Sequence, residues 1–198
     1  MPRSYGVVID LPVLLQDRES VEGVAPACSV ERRVWQGESF DLQHVGAAPT
    51  LAAFAEPWLR GMVESPYGGS KSSETVVVGD CYGAESLAGQ FENIAVRFVA
   101  NRVVGVPATL DFPYTEHCCP CLTCGVCKQW IIREAQRSGQ RVVLVTESSS
   151  DRKSILLADI AVLGGPALHW ALEAGVVCTP FSDPTELPAL VRQSISSG

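Results

Sequence analysis

His117-Cys118-Cys119-Pro120-Cys121-Leu122-Thr123-Cys124-Gly125-Val126-Cys127 carries five of the eight cysteines of this 198-residue chain. A cysteine used only for packing needs no cysteine neighbours, so this density points to chemistry, and to metal chemistry first. Two intervening residues separate Cys121 from Cys124 and Cys124 from Cys127, a spacing that lets two thiolates converge on one ion. Cys121, Cys124, Cys127 and His117 are the leading candidate ligands, with Cys118 and Cys119 as further donors. Zinc is the favoured metal, because an imidazole adjoins the thiolates. An iron–sulfur cluster is the alternative, with Cys121, Cys124 and Cys127 as three ligands and Cys118 or Cys119 as the fourth.

Those thiols need a scaffold, and the chain from residue 75 onward has the regularity of one. Thr75-Val78 reads as a buried strand, and the stretch from Ala84 to about Val99 has helical periodicity, with Leu87, Phe91, Ile94 and Ala95 recurring at three and four. A valine-rich strand over Arg102-Leu110 precedes the cysteines. A helix from Val126 to Arg137 follows, closed by Ser138-Gly139. Arg141-Thr146 and Asp159-Leu163 are apolar strands, Gly164-Gly165-Pro166 leads into a helix ending at Glu173, and Val176-Thr179 is a strand. Asp183 caps a last helix. Strands that are near-continuous apolar runs, alternating with helices, predict a three-layer α/β/α domain with a largely parallel sheet. Residues 1–70, broken by Pro12, Gly23, Pro26, Gly37, Gly46 and Pro49, read as an irregular N-terminal region packed on a core at 71–198, with the loop Ser65-Ser73 as the boundary.

Composition bounds the function classes. Hydrophobic residues make up 46% and charged residues 19%, and the net charge is −7. That is an ordinary globular balance with a core of useful size. The acidic charge argues against a general nucleic-acid or membrane-surface binder, and the expected partner is a small-molecule substrate. No run of eighteen apolar residues suggests a membrane span. The start of the chain has no secretory pattern, so a reducing, cytoplasmic setting is expected, which disfavours disulfides and supports metal.

Pro120-Cys121-Leu122-Thr123-Cys124 is a Pro-Cys-x-x-Cys at the head of a helix, and Cys124-Gly125-Val126-Cys127 overlaps it. With a helix, a strand, the cysteines, a helix and a strand in that order, residues 74–157 resemble the zinc-dependent cytidine deaminase superfamily. The resemblance implies that these cysteines supply two zinc ligands and that Glu85, in Gly83-Ala84-Glu85, is the proton-shuttling glutamate. Gly83 stands where the family's third ligand would be, and Cys81 is two residues early. The implied reaction is attack of a zinc-bound hydroxide on the amino-bearing carbon of a nucleoside, nucleobase or related amino-heterocycle. Glu85 would carry the proton to the departing ammonia.

Two other readings compete. In one, the cysteines form a structural zinc or iron–sulfur site in an α/β protein with some other task. In the other, Asp10, at the end of Val7-Val8-Ile9, resembles the first acidic residue of PIN-type nucleases, which hold magnesium or manganese through several carboxylates. Asp80 and Asp159 also lie near strand ends, where turn formation and capping are their ordinary uses. Ser148-Ser149-Ser150-Asp151 reads as a solvated loop.

Overall fold

Valine and isoleucine fill the strands, and their branched side chains favour the pleated, doubly covered surface of a parallel sheet. In the computed structural model, which describes residues 4–16, 50–64, 74–79, 87–94, 96–100, 102–104, 109–111 and 126–197, six strands form one parallel sheet. They are β1 (Tyr5–Asp10), β2 (Thr75–Gly79), β3 (Arg97–Ala100), β6 (Arg141–Thr146), β7 (Ile160–Leu163) and β8 (Thr179–Pro180), in the spatial order β3-β2-β1-β6-β7-β8. A separate antiparallel pair joins β4 (Arg102–Val104) to β5 (Thr109–Asp111).

The pleat sends alternate residues of each strand into two different cores. Val7 and Ile9 of β1 and Val143 and Val145 of β6 face one side. There they meet Trp58, Leu59 and Met62 of helix α1 (Ala55–Glu64) and Leu187, Val191 and Ile195 of helix α6 (Leu187–Ser197). Phe91 of the short helix α2 (Ala88–Glu92) joins the same side and stacks on Phe98 at 4.5 Å. Val8 and Leu144 face the opposite side. Their partners are Ile131, Ile132 and Ala135 of α3 (Lys128–Arg137), Ile155 of α4 (Arg152–Leu157), and Ala167 and Ala171 of α5 (Gly165–Glu173). Helices thus cover both faces, and the expected three-layer α/β/α architecture with a parallel sheet is the one observed.

The N-terminal strand β1 is central: its residues pair with β2 on one side and β6 on the other. After β1, the chain runs through a 3-10 turn at Leu11–Leu14 and forms a bridge between Leu15 and Leu51. Two differences from the periodicity reading follow from local chemistry. The helical pattern across 84–99 stops at Asn93, and Arg97-Phe98-Val99-Ala100 pairs with β2, where an aromatic and a β-branched side chain suit a strand. The stretch after Thr146, read as a loop, winds into a 3-10 turn at Ser149–Asp151 and continues as α4. Its entry is capped by the Ser148 side chain, which accepts the Ser150 N–H.

Candidate active site

Strand order alone nominates one place on this sheet. From β1 the chain moves outward to β2 and β3, then returns to β6 on β1's other flank and moves outward again to β7 and β8. The crevice beyond the carboxyl ends of β1 and β6 is therefore the point where the winding reverses, the usual position of a ligand in such sheets. Asp10 is the last residue of β1 and Thr146 the last of β6. Both side chains have the parity of Val8 and Leu144, so both turn toward the layer that contains α3 and α4.

Four side chains meet there. Lys128, the first residue of α3, places Nζ 2.8 Å from Asp10 Oδ1 and 2.8 Å from Asp151 Oδ2. Thr146 Oγ1 lies 3.0 Å from Asp10 Oδ2 and 2.7 Å from Asp151 Oδ2, and it accepts the Ser148 N–H at 3.0 Å. The group is deeply buried: relative exposure is 1% for Asp10, 3% for Lys128, 0% for Thr146 and 7% for Asp151. Charged residues are almost never this buried unless they are paired, and burial of an ion pair commonly costs more than it returns. The cluster is thus better explained by chemistry than by stability.

Local sequence builds the site cheaply. The extended conformation of Cys127, at φ −86° and ψ 95°, starts α3 so that Lys128 is its first residue, and the Cys127 carbonyl accepts from Trp130 and Ile131. Beyond Thr146, Ala167 N–H bonds to the Glu147 carbonyl, and Gly164 lets the buried ring of Phe181 pass close behind. A Cβ on Gly164 would fall 2.7 Å from Phe181 Cζ.

The cysteine reading fares differently. Glu85, His117, Cys118, Cys119, Cys121, Cys124 and Cys81 lie outside the described residues, as does Asp80. Cys127 is described; it is buried at the start of α3 as a free thiol. Among the described residues, no three His, Cys, Asp or Glu side chains form a group able to hold a metal ion. The cation at the centre of the cluster is the ammonium of Lys128. Asp159 sits at the opposite edge of the sheet, where it accepts the Val142 N–H at 2.9 Å and the Gln136 amide at 3.0 Å, a structural use. No helix among the described residues is long and apolar enough to cross a membrane.

No protein-family model matches the chain, and no curated protein sequence matches it. Solved structures do. A phosphoserine phosphatase in its apo form superposes with a TM-score of 0.60 at 13% identity, covering 93% of this chain and 97% of that one. A phosphoserine phosphatase from T. onnurineus gives 0.57 at 15% identity, covering 96% of this chain and 95% of that one. A phospho-aspartyl intermediate analogue of a phosphoserine phosphatase also gives 0.57 at 15% identity, covering 93% and 97%. At these identities the likeness is one of fold.

That fold corrects the deaminase reading. The neighbours are phosphatases over nearly the whole chain, whereas the deaminase resemblance rested on one cysteine motif and the order of a few elements. Zinc-dependent deamination, the zinc cofactor and the structural zinc or iron–sulfur alternative are withdrawn with it. The PIN-like nuclease reading fails as well. The same whole-chain likeness to phosphoserine phosphatases overturns it, and Asp10 is joined to Asp151 through the Lys128 ammonium. Sequence reasoning noticed Asp10 for the wrong chemistry and passed over Lys128, Thr146 and Asp151. A lysine as the first residue of a helix was the available signal, since a cation there opposes the helix dipole.

Proposed function

We propose that the chain is a HAD-type phosphohydrolase that cleaves a small phosphate monoester, with Asp10 as nucleophile. The observation that carries this reading is the buried Asp10 carboxylate at the winding reversal, held at 2.8 Å by Lys128 and at 3.0 Å by Thr146. The fold neighbour trapped as a phospho-aspartyl analogue supports the choice of an aspartate as the attacking group.

A carboxylate is a weak nucleophile toward a phosphate that is itself anionic. Lys128 addresses the second difficulty: its positive charge offsets the repulsion between the two anions at a buried site, where charge stabilisation is strongest. Thr146 and Lys128 grip the two oxygens of Asp10 separately, which fixes the plane of the carboxylate and leaves little orientation to be lost on attack. An Asp10 oxygen bonds to phosphorus as the ester P–O bond breaks, giving an aspartyl phosphate and an alcohol. Water then attacks phosphorus, the bond to Asp10 breaks, and inorganic phosphate leaves with the carboxylate restored.

The test is a rapid acid quench after mixing the protein with a phosphate ester carrying labelled phosphorus. An acyl phosphate on Asp10 gives protein-bound label that survives acid and is released by hydroxylamine. Asp10→Asn and Asp10→Ala should both abolish label and turnover. Phosphate release persisting in Asp10→Ala would overturn the assignment.

A further inference from the structure

Burial sorts the residues of α3 and α4 by charge. The exposed residues of the two helices are Arg133 and Arg137 on α3, Arg152 and Lys153 on α4, and Leu156. All but the leucine are cations, in a chain whose 22 acids outnumber its 15 lysines and arginines. The acids of the same layer are committed elsewhere. Glu134 pairs with Arg97 at 3.0 Å, Asp151 with Lys128 at 2.8 Å, and Asp159 accepts from Val142 and Gln136. Arg133, Arg137 and Arg152 form no ion pair among the described residues. On the other face of the sheet, α1 exposes Glu56 and Glu64.

The two helices lie side by side, so these cations form one stripe. Lys128, at the start of α3, meets Asp151, immediately before α4. At the far ends, the Gln136 side chain donates to the Leu157 carbonyl at 3.0 Å. Arg133 and Arg137 are four residues apart on α3, about 6 Å along the axis. Alternate residues of an extended chain are spaced almost the same, about 7 Å. Arg152 lies 5.6 Å from the Trp170 ring centroid, a contact that holds a guanidinium and leaves its charge uncancelled. Leu156, four residues after Arg152 and 66% exposed, adds apolar surface among the charges.

We propose that the outer face of α3 and α4 docks an acidic protein segment, with carboxylates on Arg133, Arg137 and Arg152 and an apolar side chain on Leu156. Arginine supplies three of the four cations, and its planar fork grips a carboxylate through two N–H groups. The stripe is short, about 15 Å along α3. In physiological salt a charge is felt over only about 8 Å. A segment lying on the stripe therefore meets the arginines, whereas a nucleic-acid duplex or a bilayer extends over the rest of a chain with a net charge of −7. None of the three arginines belongs to the Asp10, Lys128, Thr146 and Asp151 cluster, so docking does not depend on the phosphohydrolase reading.

Fluorescence anisotropy on the full chain, with a labelled peptide of repeated Glu-Glu-Leu, tests the docking. The peptide should bind in low salt and weaken steadily as salt is added. Combining Arg133→Glu with Arg137→Glu should weaken it about 10-fold or more, because two attractions become repulsions. Both positions are exposed, so the double variant should melt as the wild type does. Arg133→Gln with Arg137→Gln should lose less, in the same direction. Leu156→Ser should weaken Glu-Glu-Leu but not an all-glutamate peptide, and Arg192→Glu, on α6 across the sheet, should change neither. No binding, or binding indifferent to the reversals on α3, overturns the proposal. So does a DNA duplex or a phosphatidylserine vesicle that binds through the same arginines as tightly as the peptide, since the stripe would then be a general anion surface.

Discussion

The two edges of the sheet use ion pairs in opposite ways. At the amino edge, Arg97 pairs with Glu134 at 3.0 Å and with Glu74 at 3.5 Å, and Arg141 lies 3.9 Å from Asp159. Their side chains keep between 29% and 42% of their exposure. At the carboxyl edge, Asp10, Lys128 and Asp151 keep 8% or less. Water screens the first set, so each pair contributes about 0–1 kcal/mol. The second set has been stripped of water, and its members depend on one another for solvation. Ion pairs at the amino edge can therefore be removed singly, whereas those at the carboxyl edge cannot.

Removing the shared ammonium is the strongest way to test that contrast. Lys128→Met leaves two carboxyl groups buried against each other and should cost about 3–5 kcal/mol, seen as a lower urea midpoint. Phosphate release should vanish in any fraction that remains folded. Adding Asp10→Asn to Lys128→Met should recover a good part of the stability and none of the activity. A double variant no more stable than Lys128→Met alone would show that the cluster is not the coupled unit described here. Recovery of stability without activity would mark a site held against the fold's own preference.

The difference between the edges also explains what the sequence could tell. Strands were legible because the runs Val7-Val8-Ile9, Val76-Val77-Val78 and Val142-Val143-Leu144-Val145 are apolar on both faces, a pattern with few other meanings. Helix ends were legible from Ser138-Gly139 and from Asp183, whose carboxylate accepts the Thr185 N–H as the cap reading requires. The site was not legible, because its four members are single residues spread from 10 to 151 that become neighbours only through the order of the strands. Asp151 follows three serines and reads as solvated; its burial depends on Lys128 and Thr146 arriving from elsewhere. The cysteines drew attention as a dense local motif, yet Cys127 leads directly into Lys128, and the residue that joins the cluster is the lysine.

A smaller effect is expected where backbone, not charge, supports the carboxyl edge. Gly164 donates its N–H to the Thr146 carbonyl at 3.1 Å. A methyl group there would press on Phe181 and lie 3.0 Å from Glu147 Oε1. Gly164→Ala should cost about 1–3 kcal/mol by overpacking, with turnover falling more than thermal midpoint alone explains if Thr146 shifts. Turnover unchanged at a lowered midpoint would uncouple this support from the reaction.

The smallest effect should come from the amino edge, and it is the control that gives the others meaning. Arg97 touches Glu134 and Glu74 and lies over the Trp130 ring at 5.7 Å, so it has three partners, as many as a site residue. Partner number would rank it with Thr146; exposure ranks it far below. Arg97→Gln should lower stability by about 1 kcal/mol or less, with that loss shrinking further in high salt, and leave phosphate release unchanged. Chemical denaturation at low and high ionic strength measures this directly. A loss of several kcal/mol that salt does not reduce would mean that partner number, and not burial, sets the value of an ion pair in this fold.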